Sequence, residues 1–117
     1  MNKKQLEYER RNAARFFEFT NISGSHRNCL RLSIANTKEH ELKKFEICWE
    51  LLKEGKQFLV EAKFAPPYSG RPDIVILDNH KIIEVLYSES EAACLEKAKK
   101  YPSLFELEMV RAKEVVN

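Results

Sequence analysis

Two short apolar runs either side of a tight turn constrain this chain most, because each run carries one acidic residue where a core strand would carry none. The first run covers residues 72–77 and contains Asp73, and the second covers residues 81–87 and contains Glu84. Aspartate and glutamate are rarely buried without a partner. A pair of them on adjacent strands therefore indicates a cation, and a metal site is the first hypothesis.

The length of the turn decides whether the two carboxylates meet. Side chains alternate across a strand, and residues directly opposite in an antiparallel pair share a face. A loop with an even number of residues places Asp73 and Glu84 on one face, whereas a three-residue loop separates them. The alternative interpretations are that Asp73 is a strand-entry residue after Pro72 and that Glu84 has a purely structural role.

Two further carboxylates are candidates for the same site. Glu61 lies in the strand predicted over residues 56–64, and Glu41 lies at the edge of the apolar stripe of the helix predicted over residues 37–54. Three or four oxygen ligands on one face suit Mg²⁺ or Mn²⁺. Alternatively, Glu61 faces solvent, and Glu41 is solvated like most helix glutamates.

The pattern of the whole chain predicts one α/β domain over residues 1–117, with a basic N-terminal helix and loop in residues 1–36 and a core in residues 37–110. The predicted elements are a helix over 3–19, a loop over 21–28, a short strand or extended lead-in over 29–35, a helix over 37–54, strands over 56–64, 72–77 and 81–87, a helix over 88–100 and a strand over 104–110. This order favours a mixed sheet with helices packed on its faces.

The helix over residues 37–54 has the clearest pattern. Asn36 is the expected cap and Gly55 the expected stop, and Ser88 with Glu91 forms a capping box for the following helix. The apolar stripe predicted to face the core consists of Leu42, Phe45, Trp49 and Leu52, and Cys48 widens it.

Composition excludes several classes of protein. The chain has no apolar run long enough to span a membrane, and its charged N-terminus differs from a signal peptide, so we expect an intracellular protein. Three scattered cysteines exclude a disulfide framework and a zinc ribbon.

Positive charge is concentrated near the N-terminus. Residues 1–35 contain seven basic and three acidic residues, or 7 − 3 = +4, against +2 for the whole chain. Such a segment can bind a phosphate backbone, although a solvated helix surface has the same composition. The candidate nucleic-acid-binding residues are Lys3, Lys4, Arg10, Arg11, Arg27 and Arg31.

The stretches Arg71-Pro72-Asp73 and Ile83-Glu84-Val85, preceded by a helix with Glu41, resemble the restriction-endonuclease-like PD-(D/E)xK nuclease superfamily. They are similar to small archaeal and viral members related to Holliday-junction resolvases. The resemblance covers residues 37–110 and implies a helix-strand-strand-strand-helix-strand core with an extra N-terminal helix. It further implies a DNA nuclease, of a class whose small members often work as homodimers, whose Mg²⁺ or Mn²⁺ is held by Asp73, Glu84 and Glu61, with DNA rather than RNA as the expected partner.

One position departs from the family pattern. The family has a lysine two residues after the glutamate, where it orients the attacking water and offsets phosphate charge, and this chain has Leu86 there. Lys63, Lys44 and Lys97 are the candidates to replace it. The alternative is a catalytically inactive module on the same fold that binds nucleic acid or a protein partner.

Overall fold

The computed structural model describes residues 1–18 and 26–112, and in these residues it contains three helices and four strands. The elements are α1 (Lys3–Ala14), α2 (Lys38–Lys53), β1 (Phe58–Val60), β2 (Ile74–Ile76), β3 (Lys81–Leu86), α3 (Glu91–Ala98) and β4 (Glu106–Arg111). The strands form one sheet in the order β1-β2-β3-β4, in which β4 is parallel to β3 and the other pairs are antiparallel. The prediction of a small α/β protein with a mixed sheet is confirmed. No helix in the described part of the chain is long and apolar enough to cross a membrane.

The turn between β2 and β3 has an even number of residues. Ile76 pairs with Lys81 and Ile74 pairs with Ile83, so four residues, 77–80, connect the two strands. His80 adopts a positive φ of 56° in this turn. Extending the register by one pair places Asp73 opposite Glu84, on the same face of the sheet.

Both faces of the sheet are covered by helices. On one face, Ala13 and Ala14 of α1 pack with a set of sheet residues that includes Val75 and Ile82. On the other face, Cys48 and Leu51 of α2 pack with the opposite set: Phe58, Val60, Ile74, Ile76 and Ile83. This two-sided burial explains why β2 and β3 are apolar at nearly every position.

The first helix is shorter than predicted. It begins with a capping box between Asn2 and Gln5 and ends at Ala14, whereas the sequence pattern predicts a helix to residue 19. The chain leaves the helix because Phe17 forms a bridge to Phe64, with their rings stacked 4.4 Å apart. Residues 19–25, which include the end of the predicted helix and most of the predicted loop, lie outside the described residues.

The prediction of the buried face of α2 is wrong. The residues that α2 buries are His40, Lys44, Cys48 and Leu51. Of the predicted stripe only Cys48 is among them, and the other four side chains are about half exposed. The pattern misleads because Lys44, a residue that normally faces water, is buried with acidic partners. The cap is Thr37, whose side chain accepts a hydrogen bond from the backbone of His40, and not Asn36.

Three other boundaries differ from the prediction. The strand over residues 56–64 ends at Val60, because Glu61 adopts a positive φ of 51° that no regular strand contains. Residues 29–35 form no strand. The capping residue of α3 is Ser90, which accepts from the backbone of Ala93, and not Ser88.

Candidate functional site

Asp73 and Glu84 are held against each other at the end of the sheet. Asp73 directly precedes β2, and its backbone N–H donates to Oε1 of Glu84 over 3.2 Å. Its own Oδ2 accepts from the backbone N–H of Val85 over 2.7 Å. Each carboxylate is therefore fixed by the backbone of the opposite strand, which explains why the sequence places an acid in each run.

Glu84 is the more buried of the two acids, with 1% of its surface exposed. Nζ of Lys97 lies 3.2 Å from its Oε2, and the hydroxyl of Tyr101 donates to its Oε1 over 3.2 Å. Burial and the charge of Asp73 raise the pKa of Glu84 to about 7, although Lys97 opposes the shift. Burial lowers the pKa of Lys97, but Glu84 outweighs this effect and the net shift is upward, so Lys97 stays protonated.

His40, which lies on α2, contacts Asp73, the other acid of the pair. Its Nε2 lies 3.2 Å from Oδ2 of Asp73, and this hydrogen bond raises the pKa of the imidazole against the opposing effect of burial. Its Nδ1 is buried without a hydrogen-bond partner among the described residues, 3.9 Å from Oε2 of Glu41. The sequence analysis missed His40, and its position on α2 becomes a signal only once the buried face of that helix is known.

The remaining two predicted carboxylates bind a lysine. Lys44 is completely buried, and its Nζ lies 2.7 Å from Oε2 of Glu41 and 2.6 Å from Oε2 of Glu61. The other oxygen of Glu41 accepts from the backbone of Ser33 and the side chain of Asn36. The predicted set of four carboxylates is therefore divided into two pairs, and only one pair contacts Lys97.

A metal site made of protein side chains alone is not assembled. Within residues 1–18 and 26–112, no group of three or more His, Cys, Asp or Glu side chains is arranged to hold a metal ion. Glu61, predicted as a third ligand, is turned toward Lys44 by its positive φ. Asp73 and Glu84 remain as two oxygen donors beside each other.

A pocket of about 230 Å³ opens next to these acids. Residues from the start of α2, the entry to β2, the end of β3 and α3 contribute to its wall, among them His40, Asp73, Val85, Ser88, Glu89 and Lys97. The side chain of Lys97 is 45% exposed, so its ammonium reaches both the buried Glu84 and the open pocket. The pocket therefore presents negative and positive groups to one small volume.

The three candidate lysines have different surroundings. Lys97 lies at the pocket, whereas Lys44 is enclosed by its two acidic partners. Lys63 is half exposed and lies 3.9 Å from Glu18. Leu86 is 1% exposed and belongs to the apolar interior. Lys97 is thus the candidate that the fold brings to Asp73 and Glu84.

The basic N-terminal residues lie elsewhere. Arg10 donates twice, over 3.0 Å each, to the carboxylate of Asp78 in the turn at the far end of β2 from Asp73, about 16 Å along the strand. Arg27 contacts Glu7 and Gln57. Of the other candidates, Lys3, Lys4 and Arg11 are exposed on α1, and Arg31 is half-buried.

Two arginines that the sequence analysis did not select lie closer to the pocket. Arg111 donates to the backbone carbonyls of Tyr87 and Glu89, both in the pocket wall, over 3.4 Å each. Arg71 donates to the carbonyl of Glu61 over 3.3 Å. Both residues are exposed and flank the acidic pair in the fold.

No protein-family model matches this chain, and comparison with curated proteins and with solved structures finds no match. The roles of the residues are therefore argued from their chemistry and positions. The strongest positional facts are the opposed acids Asp73 and Glu84 and the lysine beside them.

Proposed function

We propose that this protein is a metal-dependent nuclease that hydrolyses phosphodiester bonds in DNA. The observation that carries the proposal is that Asp73 and Lys97 line one pocket and that both contact the buried carboxylate of Glu84. The element order from α2 to β4, with β4 parallel to β3, supports a restriction-endonuclease-like core. Two acids and one lysine are the group types that phosphodiester hydrolysis with a hard cation requires.

The donor set fits Mg²⁺ or Mn²⁺ as a shared ion. Mg²⁺ is commonly bound by one or two carboxylates and completes its shell with water and substrate phosphate oxygens. Asp73 and Glu84 supply the two carboxylates, and the backbone carbonyl of Val85 is a third oxygen at the pocket. The raised pKa of Glu84 reflects burial and like-charge repulsion, which a divalent cation relieves. When bound, the ion supplies Lewis-acid stabilisation of the phosphate and activation of water.

Lys97 acts as a fixed positive charge. Its pKa is raised, so it does not serve as a general base, and its ammonium donates hydrogen bonds. From the pocket wall it orients the attacking water and offsets negative charge that develops on the phosphate. In this role a lysine on α3 replaces the one that the family pattern has on the strand.

His40 acts as a positioning residue. Through its 3.2 Å contact it fixes the carboxylate of Asp73 at Oδ2, the oxygen that also accepts from the backbone of Val85, so that Oδ1 is the oxygen left to bind an ion. Substrate phosphates are held by exposed cations near the pocket, for which Arg71 and Arg111 are better placed than Arg10. Contacts of this kind position a duplex without reading its sequence.

A cleavage assay tests the proposal. Single-stranded, duplex and branched DNA are incubated with the purified chain and Mg²⁺ or Mn²⁺, and the products are resolved on a gel. We expect cleavage that Asp73→Asn and Glu84→Gln abolish, whereas Lys63→Met retains it. The proposal fails if every form of DNA stays intact with both metals while the protein is folded by circular dichroism.

A second function, DNA binding without cleavage, is favoured by Leu86. Because this residue is buried, the position that carries the family lysine holds no charge at all. Lys97 is also shared between Glu84 and Glu89, at 3.2 and 3.6 Å. A nuclease fold that binds DNA without cutting it would show binding that weakens steeply with salt and is unchanged by Asp73→Asn.

A further inference from the structure

The outer face of α2 exposes four large apolar side chains in a row. Their exposed fractions are 51% for Leu42, 47% for Phe45, 53% for Trp49 and 47% for Leu52. The rings of Phe45 and Trp49 stack on each other with centroids 6.2 Å apart. A contiguous apolar patch of this kind often marks a surface that contacts a partner.

The row reads the same in both directions. Its spacings are three, four and three residues, and its order is leucine, aromatic, aromatic, leucine. An interface around a two-fold axis requires that if one residue contacts a second, the second contacts the first in the other copy. Antiparallel pairing of two α2 helices satisfies this requirement, because Leu42 then meets Leu52 of the second copy and Phe45 meets Trp49.

The spacing is also that of a helix-pairing seam. Residues 42, 45, 49 and 52 repeat as the a and d positions of two heptads, which is the pattern that packs one helix against another. Glu39, Glu46 and Lys53 follow one edge of this seam. In the antiparallel arrangement Lys53 lies beside Glu39 of the second copy, so opposite charges meet at both ends of the interface. The two Glu46 side chains face each other near the axis, where Lys43 of each copy, 3.6 Å from Glu46, offsets their repulsion.

The exposed apolar area of the row is about half of the roughly 800 Å² that each partner buries in a standard interface. Four large side chains, each about half exposed, present roughly 400 Å² of apolar surface. Leu32 and Ile34 add to it, at 70% and 106% exposure, in the segment that hydrogen bonds to Glu41 through Ser33. With the charged edge, this approaches the roughly 800 Å² per partner of a standard interface.

We propose that a second copy of this chain covers this face, with the two α2 helices antiparallel about an axis that passes close to Glu46. The site residues His40 and Lys44 lie on the opposite, buried face of α2. The dimer therefore leaves both pockets open and carries one site at each end of the helix pair. The inference does not depend on what reaction the pocket performs.

Sedimentation equilibrium of the full chain tests the association. We expect a mass of twice 13.7 kDa at micromolar concentration, and a monomer for Trp49→Glu. Tyr8→Glu is the matched control, since Tyr8 is an aromatic residue of similar exposure, 62%, on α1. A monomeric wild-type chain at all concentrations, or an equal loss of dimer in both variants, overturns the proposal.

Cross-linking tests the antiparallel geometry. In a Cys29→Ser background, which removes the exposed native thiol, a cysteine is introduced by Glu46→Cys or by Glu39→Cys. Residue 46 lies near the axis in both copies, whereas residue 39 lies about 21 Å from its counterpart at 1.5 Å rise per residue. We expect mild oxidation to link the first variant and not the second; equal linking of both, or linking of neither, contradicts the arrangement.

Discussion

Nζ of Lys97 lies 3.2 Å from Oε2 of Glu84, which joins α3 to β3 at the wall of the pocket. The lysine comes from a helix eleven residues after Leu86, the position where the family pattern has it on the strand. The long side chain of Lys97 on α3 thus places its ammonium beside the carboxylate of Glu84. This contact makes Lys97 the residue on which activity is expected to depend.

Lys97→Met is expected to reduce the rate of DNA cleavage by about 10²–10³-fold, the typical cost of removing one group that stabilises transition-state charge. The aliphatic stem is kept, so folding should change little. Cleavage is measured under single-turnover conditions, with Lys63→Met as the matched control. Equal rates for wild type and Lys97→Met would show that another group supplies the charge.

Metal binding is expected to strengthen as pH rises through about 7. Glu84, with a pKa raised to about 7 by burial and by the charge of Asp73, is mostly protonated at pH 6 and mostly ionised at pH 8. Since a metal ligand must be deprotonated, Mn²⁺ affinity measured by calorimetry should increase about tenfold over this interval. Glu84→Gln should bind weakly, with a flat pH profile. If the Mn²⁺ affinity of the wild type depends on pH as little as that of the variant, Glu84 is not a metal ligand.

The same carboxyl should make the metal-free protein less stable as pH rises from about 4.5 to 7. The folded state keeps the proton of Glu84 to higher pH than the unfolded state, so the stabilisation is present at low pH and is lost as pH rises through the folded-state pKa. The loss is about 3 kcal/mol at most, because each pKa unit corresponds to about 1.4 kcal/mol.

Urea unfolding of wild type and Glu84→Gln at pH 5 and 7 measures this loss. His40, whose raised pKa acts in the same direction, is present in both proteins, so their difference isolates Glu84. We expect the variant to gain stability relative to wild type between the two pH values. A constant difference would mean that Glu84 is ionised throughout.

The pairing of Asp73 and Glu84 was predictable because acidic residues are rare within apolar strands. An acid within each of two apolar runs is visible in the sequence, and the register condition for Asp73 and Glu84 needed only an even turn. The order of helices and strands followed from periodicity in the same way. These features depend on neighbours in the chain and across one hairpin.

The buried face of α2 was not predictable from periodicity. The sequence of α2 contains two stripes, and the more apolar one faces outward. The other stripe is buried because Lys44 is paired there with Glu41 and Glu61. The contact with Glu61 forms only when the strand packs against the helix. The contact of Arg10 with Asp78 was not predictable for a related reason, since the two residues are 68 positions apart in the chain. Pairing over long sequence distances leaves no local pattern.

Arg10 is expected to stabilise the fold and not to bind DNA. Its two hydrogen bonds tie α1 to the β2–β3 turn through Asp78, and charge-assisted bonds of this kind contribute about 1.5–3 kcal/mol. Arg10→Met should lower the free energy of unfolding by that amount and leave DNA affinity unchanged. Arg111→Met should lower DNA affinity and leave the free energy of unfolding unchanged. Loss of DNA affinity in Arg10→Met without loss of stability would reinstate the N-terminal binding surface.

Lys44→Met is expected to destabilise the protein by about 3 kcal/mol, the lower end of the cost of breaking a buried ion pair, because the carboxylates of Glu41 and Glu61 that lose their cation are 12% and 22% exposed. Lys99→Met, at the end of α3 and 71% exposed beside Glu96, should change stability by less than about 0.5 kcal/mol. Urea unfolding measures both. Adding Glu61→Gln to Lys44→Met should recover part of the loss, since it removes one of the two unpaired charges. If the double variant is less stable than Lys44→Met alone, the carboxylate of Glu61 has another stabilising partner, and the ion pair is not what holds α2 against the strand end.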